Sequence, residues 1–291
     1  MISNDNFQLK EFYDNFTQCS VRDLVKVNID SIDVISVKNM RDSDAYTIKN
    51  ITPSKELMYK AGLAVFNNVK WGNKTAIICG KGNNAGDGYV LAKLLKDNGK
   101  NVELFLVEDK FSEDGKYYFD FVQNAGIKIS FIDESTSFSD FDILVDALLG
   151  TGFNGVPRGN FALAINKINE ANKYVISIDI NSGLNGDSGI ADTAIKSNLT
   201  VSIGSYKYGH FLNMAMDYMK NKTNVDIGID IIKDEAFLLE MSDLKDFFKP
   251  REHFANKGTF GYVGIIGGSL NYPGAIKLAS MGQAALRVGS G

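Results

Sequence analysis

The chain has 291 residues, of which 44% are hydrophobic and 23% are charged. This balance is typical of a folded globular protein and excludes an intrinsically disordered chain. Because 31 basic residues are set against 35 acidic ones, the formal net charge is −4, and an overall field that attracts nucleic acid or an anionic membrane is excluded. At roughly 100–200 residues per domain, the length predicts one large domain, or one domain plus part of another.

The sequence shows no sign of a membrane segment or a secretory leader. Apolar runs such as Thr75–Cys79 and Ile143–Leu149 are far shorter than the ~20 residues that span a bilayer. The segment Met1–Lys10 is polar, and no apolar stretch follows it, which is unlike a signal peptide. Two cysteines and two histidines favour neither a disulfide framework nor a Cys/His zinc site. We therefore expect a cytoplasmic protein in a reducing compartment.

From about Lys38 onward, short runs rich in Val and Ile alternate with longer amphipathic stretches. This alternation is typical of βα units around a mostly parallel sheet. The predicted strands are Thr75–Cys79, Asn101–Val107, Ile127–Ile132, Asp142–Asp146, Tyr174–Asp179, Leu199–Ile203 and Asn224–Ile227, and the predicted helices include Ser54–Val69, Asp87–Asn98 and Glu113–Ala125. The expected fold is α/β, a Rossmann-like three-layer αβα arrangement with a mostly parallel sheet.

Three segments are predicted along the chain. Residues 1–36 form an N-terminal extension, residues 37–240 form the α/β domain, and residues 241–291 form a linker and the start of a second domain. In the last segment, Tyr262–Ile266 predicts a strand and Gly274–Val288 predicts a helix. A single βα unit cannot bury its own apolar face, so this segment is interpreted as a fragment of a domain.

The strongest local feature is the loop Gly80-Lys81-Gly82-Asn83-Asn84-Ala85-Gly86-Asp87-Gly88, between a predicted strand and a predicted helix. Its glycines allow a ligand to approach, and the helix N-terminus offers free N–H groups to an anion. The loop matches the dinucleotide fingerprint G-x-G-x-x-G/A, and Glu108 ends the next strand. Because a carboxylate repels phosphates, Asp87 indicates a site that also binds a cation or sugar hydroxyls. The alternative is an Asx-rich turn in which Asp87 caps its helix.

Three more charged residues follow predicted strands. Asp146 ends one strand and precedes a glycine-rich loop, and Asp179 ends the next and precedes Asn181-Ser182-Gly183. A carboxylate at the end of a buried strand needs a partner, such as a metal, a ligand or backbone donors. The alternative interpretation of Asp146 is a residue that caps the following helix. Lys207 follows the predicted strand Leu199–Ile203 and is a candidate site residue. The alternative interpretation is an ordinary surface lysine whose charge is solvated.

These residues gain meaning from their shared position. Asn84, Asp146, Asp179 and Lys207 each lie at or just beyond the C-terminal end of a different predicted strand. In an open parallel sheet those ends form one edge, where ligands bind. Asn84, Asp146 and Ser182 offer hard oxygen ligands, which favour an alkali or alkaline-earth cation over zinc. The pattern predicts a phosphate- and sugar-binding pocket with a carboxylate available for proton transfer.

At these residues the chain resembles the NAD(P)H-hydrate epimerase family, also called the YjeF N-terminal domain, from about Val37 to Asp230. Two departures from the family pattern are Ala85, which replaces a usual glycine, and Asn181, where proline is frequent. The ordered motifs that carry the resemblance are Asn39-Met40-Arg41 with Asp44, Glu56-Leu57-Met58, Ala61-Gly62, Asn83-Asn84-Ala85-Gly86-Asp87-Gly88, Asp146-Ala147-Leu148-Leu149-Gly150-Thr151-Gly152 and Asp179-Ile180-Asn181-Ser182-Gly183-Leu184-Asn185-Gly186.

The end of the chain resembles the start of the ADP- or ATP-dependent NAD(P)H-hydrate dehydratase, a ribokinase-like domain. The matching residues are Lys257-Gly258, Phe260-Gly261, Ile265-Ile266-Gly267-Gly268-Ser269, Tyr272 and Gly274-Ala275. The nucleotide loop and the catalytic aspartate of that domain belong to later sequence. The resemblance therefore implies that a longer protein also dehydrates the S hydrate, using ADP or ATP, and that this chain does not.

The resemblance also implies site residues. A hydrated dinucleotide (NADHX or NADPHX) would contact Asn83, Asn84, Ala85, Gly86, Asp87, Gly150, Thr151, Gly152, Phe153, Asn154, Gly155, Val156 and Asp179. It implies a potassium ion on Asn84, Asp146 and Ser182, and an active-site role for Lys207. We expect Asp179 to transfer protons during epimerisation at nicotinamide C6, with Lys207 tuning its charge.

Several expectations about partners follow. The small-molecule dinucleotide is the substrate, no redox cofactor is consumed, and nucleic acid and membranes are not partners, while a homo-oligomer is left open. The fingerprint leaves an NAD(P)-dependent oxidoreductase as an alternative function. A non-catalytic dinucleotide-binding module is another, although the presence of Asp146, Asp179 and Ser182 together argues against a degenerate pocket.

Overall fold

A computed structural model describes residues 32–239, 253–254, 265, 267–269 and 273–288 of the chain. The chain divides into two compact units, Met1–Asp243 and Leu244–Gly291. All ten strands found in the described residues belong to the first unit.

The first unit consists of these strands and six α-helices within its described residues. In chain order the strands are β1 (Asp33–Ile35), β2 (Lys74–Cys79), β3 (Asn101–Leu106), β4 (Lys128–Phe131), β5 (Ile143–Ala147), β6 (Tyr174–Ile178), β7 (Leu199–Ile203), β8 (Tyr206–Lys207), β9 (Lys222–Val225) and β10 (Ala236–Phe237). The helices are α1 (Val37–Asn50), α2 (Ser54–Asn68), α3 (Asn83–Asp97), α4 (Glu113–Asn124), α5 (Asn160–Glu170) and α6 (Ala215–Tyr218), and a 3₁₀ turn covers Tyr208–His210. The seven predicted strands agree with the structure to within two residues at each end.

A seven-stranded sheet forms the middle layer of this unit. Its order is β4-β3-β2-β5-β6-β7-β9, and every neighbouring pair is parallel. Successive residues of β2 point to opposite faces, so Ile77 and Cys79 pack with α2, α3 and α4, whereas Ala76 and Ile78 pack with α5. Helices thus cover both faces, as a parallel sheet requires, and the predicted three-layer α/β fold is confirmed.

Side-chain caps explain where two of the helices begin. Ser36 Oγ accepts a hydrogen bond from the Asn39 amide at the start of α1, at 3.1 Å. Ser112 Oγ accepts one from the Gly115 amide at the start of α4, at 3.2 Å. Each cap satisfies an amide that the helix itself leaves unpaired, and the acidic first turn of α4 complements the helix dipole.

Helix α3 begins earlier than the sequence predicts. It starts at Asn83 rather than at Asp87, so the second half of the predicted loop is the first turn of the helix. The alternative in which Asp87 caps the helix is wrong, because Gly82 is the N-cap residue. Close packing explains the glycines: a Cβ added at Gly88 would lie 2.9 Å from the Cβ of Ala147, so glycine lets the helix approach β5 this closely.

Residues 33–35, predicted as part of the N-terminal extension, form the central strand of a small second sheet. Strand β1 pairs in parallel with β8 and antiparallel with β10, and Ile35 is in register with Lys207. This pairing brings the start of α1 next to Lys207. The rest of the predicted extension, residues 1–31, lies outside the described residues, and the domain boundaries after 36 and 240 stay predictions.

The second unit is described mainly by one helix, α7 (Gly274–Val288), which the sequence predicted. The strand predicted at Tyr262–Ile266 lies outside the described residues except for Ile265, and so does the segment 257–261. None of the helices in the described part of the chain has the length and apolar content needed to cross a bilayer.

Candidate functional site

A cavity of about 540 Å³ lies at the C-terminal edge of the seven-stranded sheet. Its walls come from segments that follow β2, β5, β6 and β7, which is where an open parallel sheet binds ligands. The polar residues that line it include Asn83, Asn84, Asp87, Thr151, Asp179 and Lys207, and α1 adds Arg41 and Asp44. The structure therefore brings together polar side chains that are up to 166 residues apart in the sequence, from Arg41 to Lys207.

Asp179 and Lys207 form a buried ion pair in the wall of this cavity. The Lys207 ammonium donates to Asp179 Oδ1 at 2.5 Å and to the Ile203 carbonyl oxygen at 2.9 Å. Lys207 is only 1% exposed, so the alternative of a solvated lysine is wrong. Burial acts to raise the pKa of the Asp179 carboxyl, but attraction to Lys207 and its hydrogen bond outweigh burial and hold that pKa below its ordinary value. The cavity therefore faces a fixed, ionised carboxylate.

The backbone at Asp179 is strained. Its φ is +64°, in the left-handed region that side chains with a Cβ disfavour by roughly 1–2 kcal/mol. The Ile180 amide donates to the Ile178 carbonyl oxygen at 2.8 Å, which makes Asp179 the central residue of a γ-turn of the rarer, positive-φ type. Strain of this kind is concentrated at functional sites, where the surrounding structure maintains it.

Three further carboxyl groups, those of Asp44, Asp87 and Asp114, face the same cavity. Burial, together with repulsion from Asp179 and Asp44, raises the pKa of Asp87 well above its ordinary value. Burial and repulsion from Asp179 also raise the pKa of Asp44. The cavity thus combines one carboxyl whose pKa is lowered with two whose pKa values are raised, which is the arrangement that supplies both a base and an acid.

Asp146 and Ser182 do not line the cavity and are fully buried. The Asp146 carboxylate accepts hydrogen bonds from the amides of Leu148 and Ser182, at 3.2 and 2.9 Å, and from the hydroxyls of Ser177 and Ser182, at 2.8 and 2.5 Å. Asp146 is not a helix cap, because it lies within β5 and the next helix begins at Asn160. It therefore holds together the ends of β5 and β6.

Asn84 is connected to this group through the backbone of Leu149. Its Nδ2 donates to the Leu149 carbonyl oxygen at 3.1 Å, and Ser182 Oγ accepts from the Leu149 amide at 2.8 Å. Asn84 Oδ1 is buried and has no hydrogen-bond partner within the described residues, which is rare for a buried oxygen. A cation would satisfy this oxygen, and the amide, carboxylate and hydroxyl oxygens nearby are hard ligands. The residues present therefore fit an alkali or alkaline-earth ion.

The sequence around this site matches a known family. Residues 54–209 match the N-terminal domain of YjeF-related proteins. The chain belongs to this family. The match contains β2, α3, β5, β6 and β7, and so it contains the four strand ends that carry the polar residues Asn83, Asn84, Asp87, Thr151, Asp179 and Lys207 of the cavity.

Curated relatives carry the same domain. The chain is 32% identical over 266 residues to the bifunctional NAD(P)H-hydrate repair enzyme Nnr of Coxiella burnetii, which covers 87% of this chain and 54% of the relative. The enzymes of the same name from Thermofilum pendens and Escherichia coli are each 34% identical, over 231 and 247 residues, covering 74% and 81% of this chain and 43% and 47% of theirs. The chain spans about half the length of the curated relatives it matches.

A solved structure has the same fold. The crystal structure of the yeast protein YNL200c aligns with a TM-score of 0.57 and 20% sequence identity, over 70% of this chain and 96% of that one. At this identity the likeness establishes the fold alone.

Most, but not all, of the residues that the YjeF-related resemblance implies for substrate binding line the cavity. Eight of them line the cavity, namely Asn83, Asn84, Asp87, Gly150, Thr151, Gly152, Phe153 and Asp179. Asn154 lines an adjoining cavity of about 220 Å³. Ala85 and Gly86 are buried inside α3, and Gly155 and Val156 are exposed and line neither cavity.

Three residues of the family motif Asn39-Met40-Arg41 with Asp44 line the cavity, namely Met40, Arg41 and Asp44, although the sequence assigned them no role. Arg41 and Asp44 are three residues apart, so they lie on one face of α1. Arg41 also lines the adjoining cavity, and no ion pair involves it in the part of the chain that the structure describes. Its guanidinium donors are therefore available to an anionic ligand. In the sequence, only the family motif pointed to Arg41 and Asp44, because the spacing of residues along a helix does not show which surface the helix packs on.

Proposed function

We propose that the chain interconverts the R and S forms of hydrated NAD(P)H at carbon C6 of the nicotinamide ring. The observation that carries this proposal is the ionised Asp179, fixed by Lys207 in the wall of a cavity at the sheet edge. The relatives named for NAD(P)H-hydrate repair support the choice of substrate. The proposed activity is that of an isomerase.

The chemistry requires one proton to be delivered and one to be removed. The substrate carries a hydroxyl on C6, next to the ring nitrogen. When the hydroxyl is protonated, the nitrogen lone pair expels it as water and leaves a planar ring cation. Water then adds to either face and loses a proton, which regenerates the hydrate. No electron leaves the substrate, so the proposed cycle consumes no redox cofactor.

The carboxyl groups of the cavity divide these tasks. Asp179 is ionised and held in place by Lys207. A lowered pKa makes this carboxylate a weaker base, but water that has added to the ring cation is strongly acidic and gives up its proton to it, and a positioned acid–base group contributes typically ~10²–10⁴-fold. Lys207 orients Asp179 and keeps it charged. Asp87 holds a proton more readily because its pKa is raised, and we assign to it the protonation of the departing hydroxyl. The conversion ends with one proton more on Asp179 and one fewer on Asp87, and proton exchange with water restores both groups before the next turnover.

We propose that the phosphates of the dinucleotide bind at the N-terminus of α3. No side chain among the residues that the structure describes caps this helix end, so its first amides are free to bind an anion and the helix dipole favours negative charge. Arg41 lies on the rim shared by the two cavities and adds the positive charge that a pyrophosphate requires.

We further propose that Asn84, Asp146 and Ser182 hold a potassium ion. The buried, unpaired Asn84 Oδ1 supports this assignment. When bound, the ion supplies a fixed positive charge; it is too weak a Lewis acid to lower the pKa of water usefully. The residues themselves link the first turn of α3 to the loop after β5 through Leu149.

The alternative function of an NAD(P)-dependent oxidoreductase is weakened by Glu108. In dinucleotide-binding folds an acidic residue at this strand end accepts hydrogen bonds from a ribose. Here the Glu108 carboxylate lies 3.6 Å from the Lys81 ammonium and 3.4 Å from that of Lys110, and it does not line the cavity. Dehydration of the S form with ADP or ATP is proposed only for a protein of the relatives' full length.

The test is an epimerisation assay on a single purified epimer of NADHX or NADPHX. Chromatography or NMR follows the ratio of the R and S forms with and without the protein. We expect the protein to accelerate equilibration strongly, with no change in the amount of reduced cofactor. An unchanged rate contradicts the proposal, and reduction of added NAD(P)⁺ with a hydride donor would favour the oxidoreductase.

A further inference from the structure

His210 contacts the backbone of both members of the Asp179–Lys207 pair. It is fully buried and ends the 3₁₀ turn that follows β8. Its Nε2 lies 2.8 Å from the Asp179 carbonyl oxygen, and its Nδ1 lies 3.0 Å from the Lys207 amide nitrogen. One imidazole thus connects two segments that are otherwise joined by the ion pair of their side chains.

The partners of this imidazole determine where its proton lies. Nδ1 lies 3.0 Å from the Lys207 amide nitrogen and 3.1 Å from the Lys207 carbonyl oxygen, so these contacts alone do not fix its proton. In a neutral ring whose proton is on Nε2, Nδ1 accepts from the Lys207 amide. The Asp179 carbonyl oxygen can only accept, so Nε2 carries the proton and donates. Burial and repulsion from Lys207 lower the pKa of His210 to about 4, so this neutral tautomer persists at neutral pH.

The hydrogen bond from His210 acts at the strained point of the site. The peptide that follows Asp179 belongs to the γ-turn, and its carbonyl oxygen is the atom that the imidazole holds. If Asp179 relaxed to an extended conformation, this peptide would rotate, the hydrogen bond would be lost and the carbonyl would be left buried without this donor. The direction of the Asp179 side chain would change with it.

We propose that His210 is a positioning residue that holds Asp179 in its left-handed conformation and so directs the carboxylate to Lys207 and the cavity. This proposal rests on the proposed function, since it assigns the base of that reaction its orientation. His210 does not line the cavity, so it acts through Asp179 and not on the substrate.

Two conservative variants separate its two contacts. In His210→Gln the side-chain amide reaches the place of Nε2 and still donates to Asp179. In His210→Asn the shorter amide reaches only the place of Nδ1, so the contact with Asp179 is lost while a polar group near Lys207 is kept. His253→Asn is the matched control, because it changes the only other histidine, which is exposed.

We expect His210→Asn to lower kcat by about 100-fold with KM changed less than threefold, since a displacement of ~1 Å in a reacting group has an effect of this size. His210→Gln should keep kcat within about tenfold of the wild-type value. The control His253→Asn should have the kcat of the wild type. A purely structural role predicts equal losses in both His210 variants. Equal losses, or wild-type kcat in His210→Asn, would overturn the proposal.

Crystal structures of the two variants test the positioning without any substrate. We expect a positive φ at Asp179 and its contact with Lys207 to persist in His210→Gln and to be lost in His210→Asn. An unchanged Asp179 in His210→Asn overturns the positioning role. Failure of the wild type to epimerise the hydrate would instead contradict the proposed function, and the two failures are therefore distinguishable.

Discussion

At the scale of single residues, the buried Lys207 determines which substitutions of Asp179 the site tolerates. The Lys207 ammonium loses its hydration, and the Asp179 carboxylate and the Ile203 carbonyl oxygen replace it. Removing one partner of a buried pair typically destabilises a protein by ~3–5 kcal/mol, because the other charge is left uncompensated. A useful variant of Asp179 therefore has to keep an acceptor for Lys207.

The change Asp179→Asn keeps an amide oxygen that accepts from Lys207, although it removes the negative charge that compensates the ammonium. The amide cannot take up a proton. We expect the rate of R/S equilibration to fall at least ~100-fold. Binding of intact NADP⁺, used as an unreactive analogue and measured by calorimetry, should stay within about tenfold. Asp97→Asn, at an exposed position on α3, is the control. Near-normal equilibration by Asp179→Asn would remove Asp179 from its role.

A second prediction concerns Asn84 and the proposed potassium ion. If the ion binds the folded state, the free energy of unfolding rises with its concentration, by ~2.7 kcal/mol at one hundred times Kd. We expect KCl to stabilise the wild type more than tetramethylammonium chloride at equal ionic strength, and Asn84→Ala to lose this difference. Urea unfolding measures it. Asn83→Ala, at the exposed neighbouring position, should keep the potassium effect; an effect equal in all three proteins would show that Asn84 is not a ligand.

At the scale of elements, the site depends on how closely the ends of neighbouring strands approach. Gly80 follows β2, and its amide donates to the Ala147 carbonyl oxygen at 3.0 Å. A Cβ added at Gly80 would lie 1.9 Å from the Leu148 carbonyl oxygen. That oxygen belongs to the backbone of the loop after β5, so it cannot move aside without shifting the loop. The first glycine of the fingerprint is thus required by strand packing, whatever the ligand.

We therefore expect Gly80→Ala to lower the free energy of unfolding by ~2 kcal/mol or more, since overpacking typically costs 1–3 kcal/mol. Gly82→Ala is the matched control, because no atom of the described residues lies within 4 Å of a Cβ at that position and the φ of Gly82 is −98°. Urea unfolding of both variants measures the difference. If the two variants were equally stable, the close approach of the loop to Gly80 would be refuted.

At the scale of the whole molecule, buried ionisable groups make stability depend on pH in opposite directions. The pKa of His210 in the folded protein is about 4, below its ordinary value of 6.5. Between these pH values the unfolded chain binds a proton that the folded protein does not, so stability falls as the pH falls through this window. The raised pKa values of Asp44 and Asp87 act against this trend, because there the folded protein binds the proton first.

Comparing the wild type with His210→Gln isolates the histidine contribution. Between pH 7 and pH 4 we expect the free energy of unfolding to fall by ~3 kcal/mol more in the wild type than in the variant, from a pKa difference of about 2.5. Urea unfolding at several pH values provides the measurement. His253→Gln should follow the wild type. Parallel pH curves for the wild type and His210→Gln would show that His210 is not held neutral.

Much of the fold was predictable from the sequence because its signals are local. Buried strands such as β2 contain continuous apolar runs, here residues 76–79, and parallel order follows from the alternation of strands with helices. The same rule predicted that residues after different strands would meet at one edge, and Asn84, Asp179 and Lys207 do line one cavity. The membership in the YjeF-related family also rests on motifs that are short and contiguous in the chain.

Tertiary structure alone decided the features that depend on contacts between distant segments. The start of α3 at Asn83 follows from packing on β5, although asparagine and glycine disfavour helices locally. Asp146 and Asp179 look alike in sequence, yet one is surrounded by hydrogen-bond donors and the other faces the cavity. His210 acquires its role from a carbonyl oxygen 31 residues away. Local patterns specify elements, whereas burial and hydrogen-bond partners arise only when those elements pack.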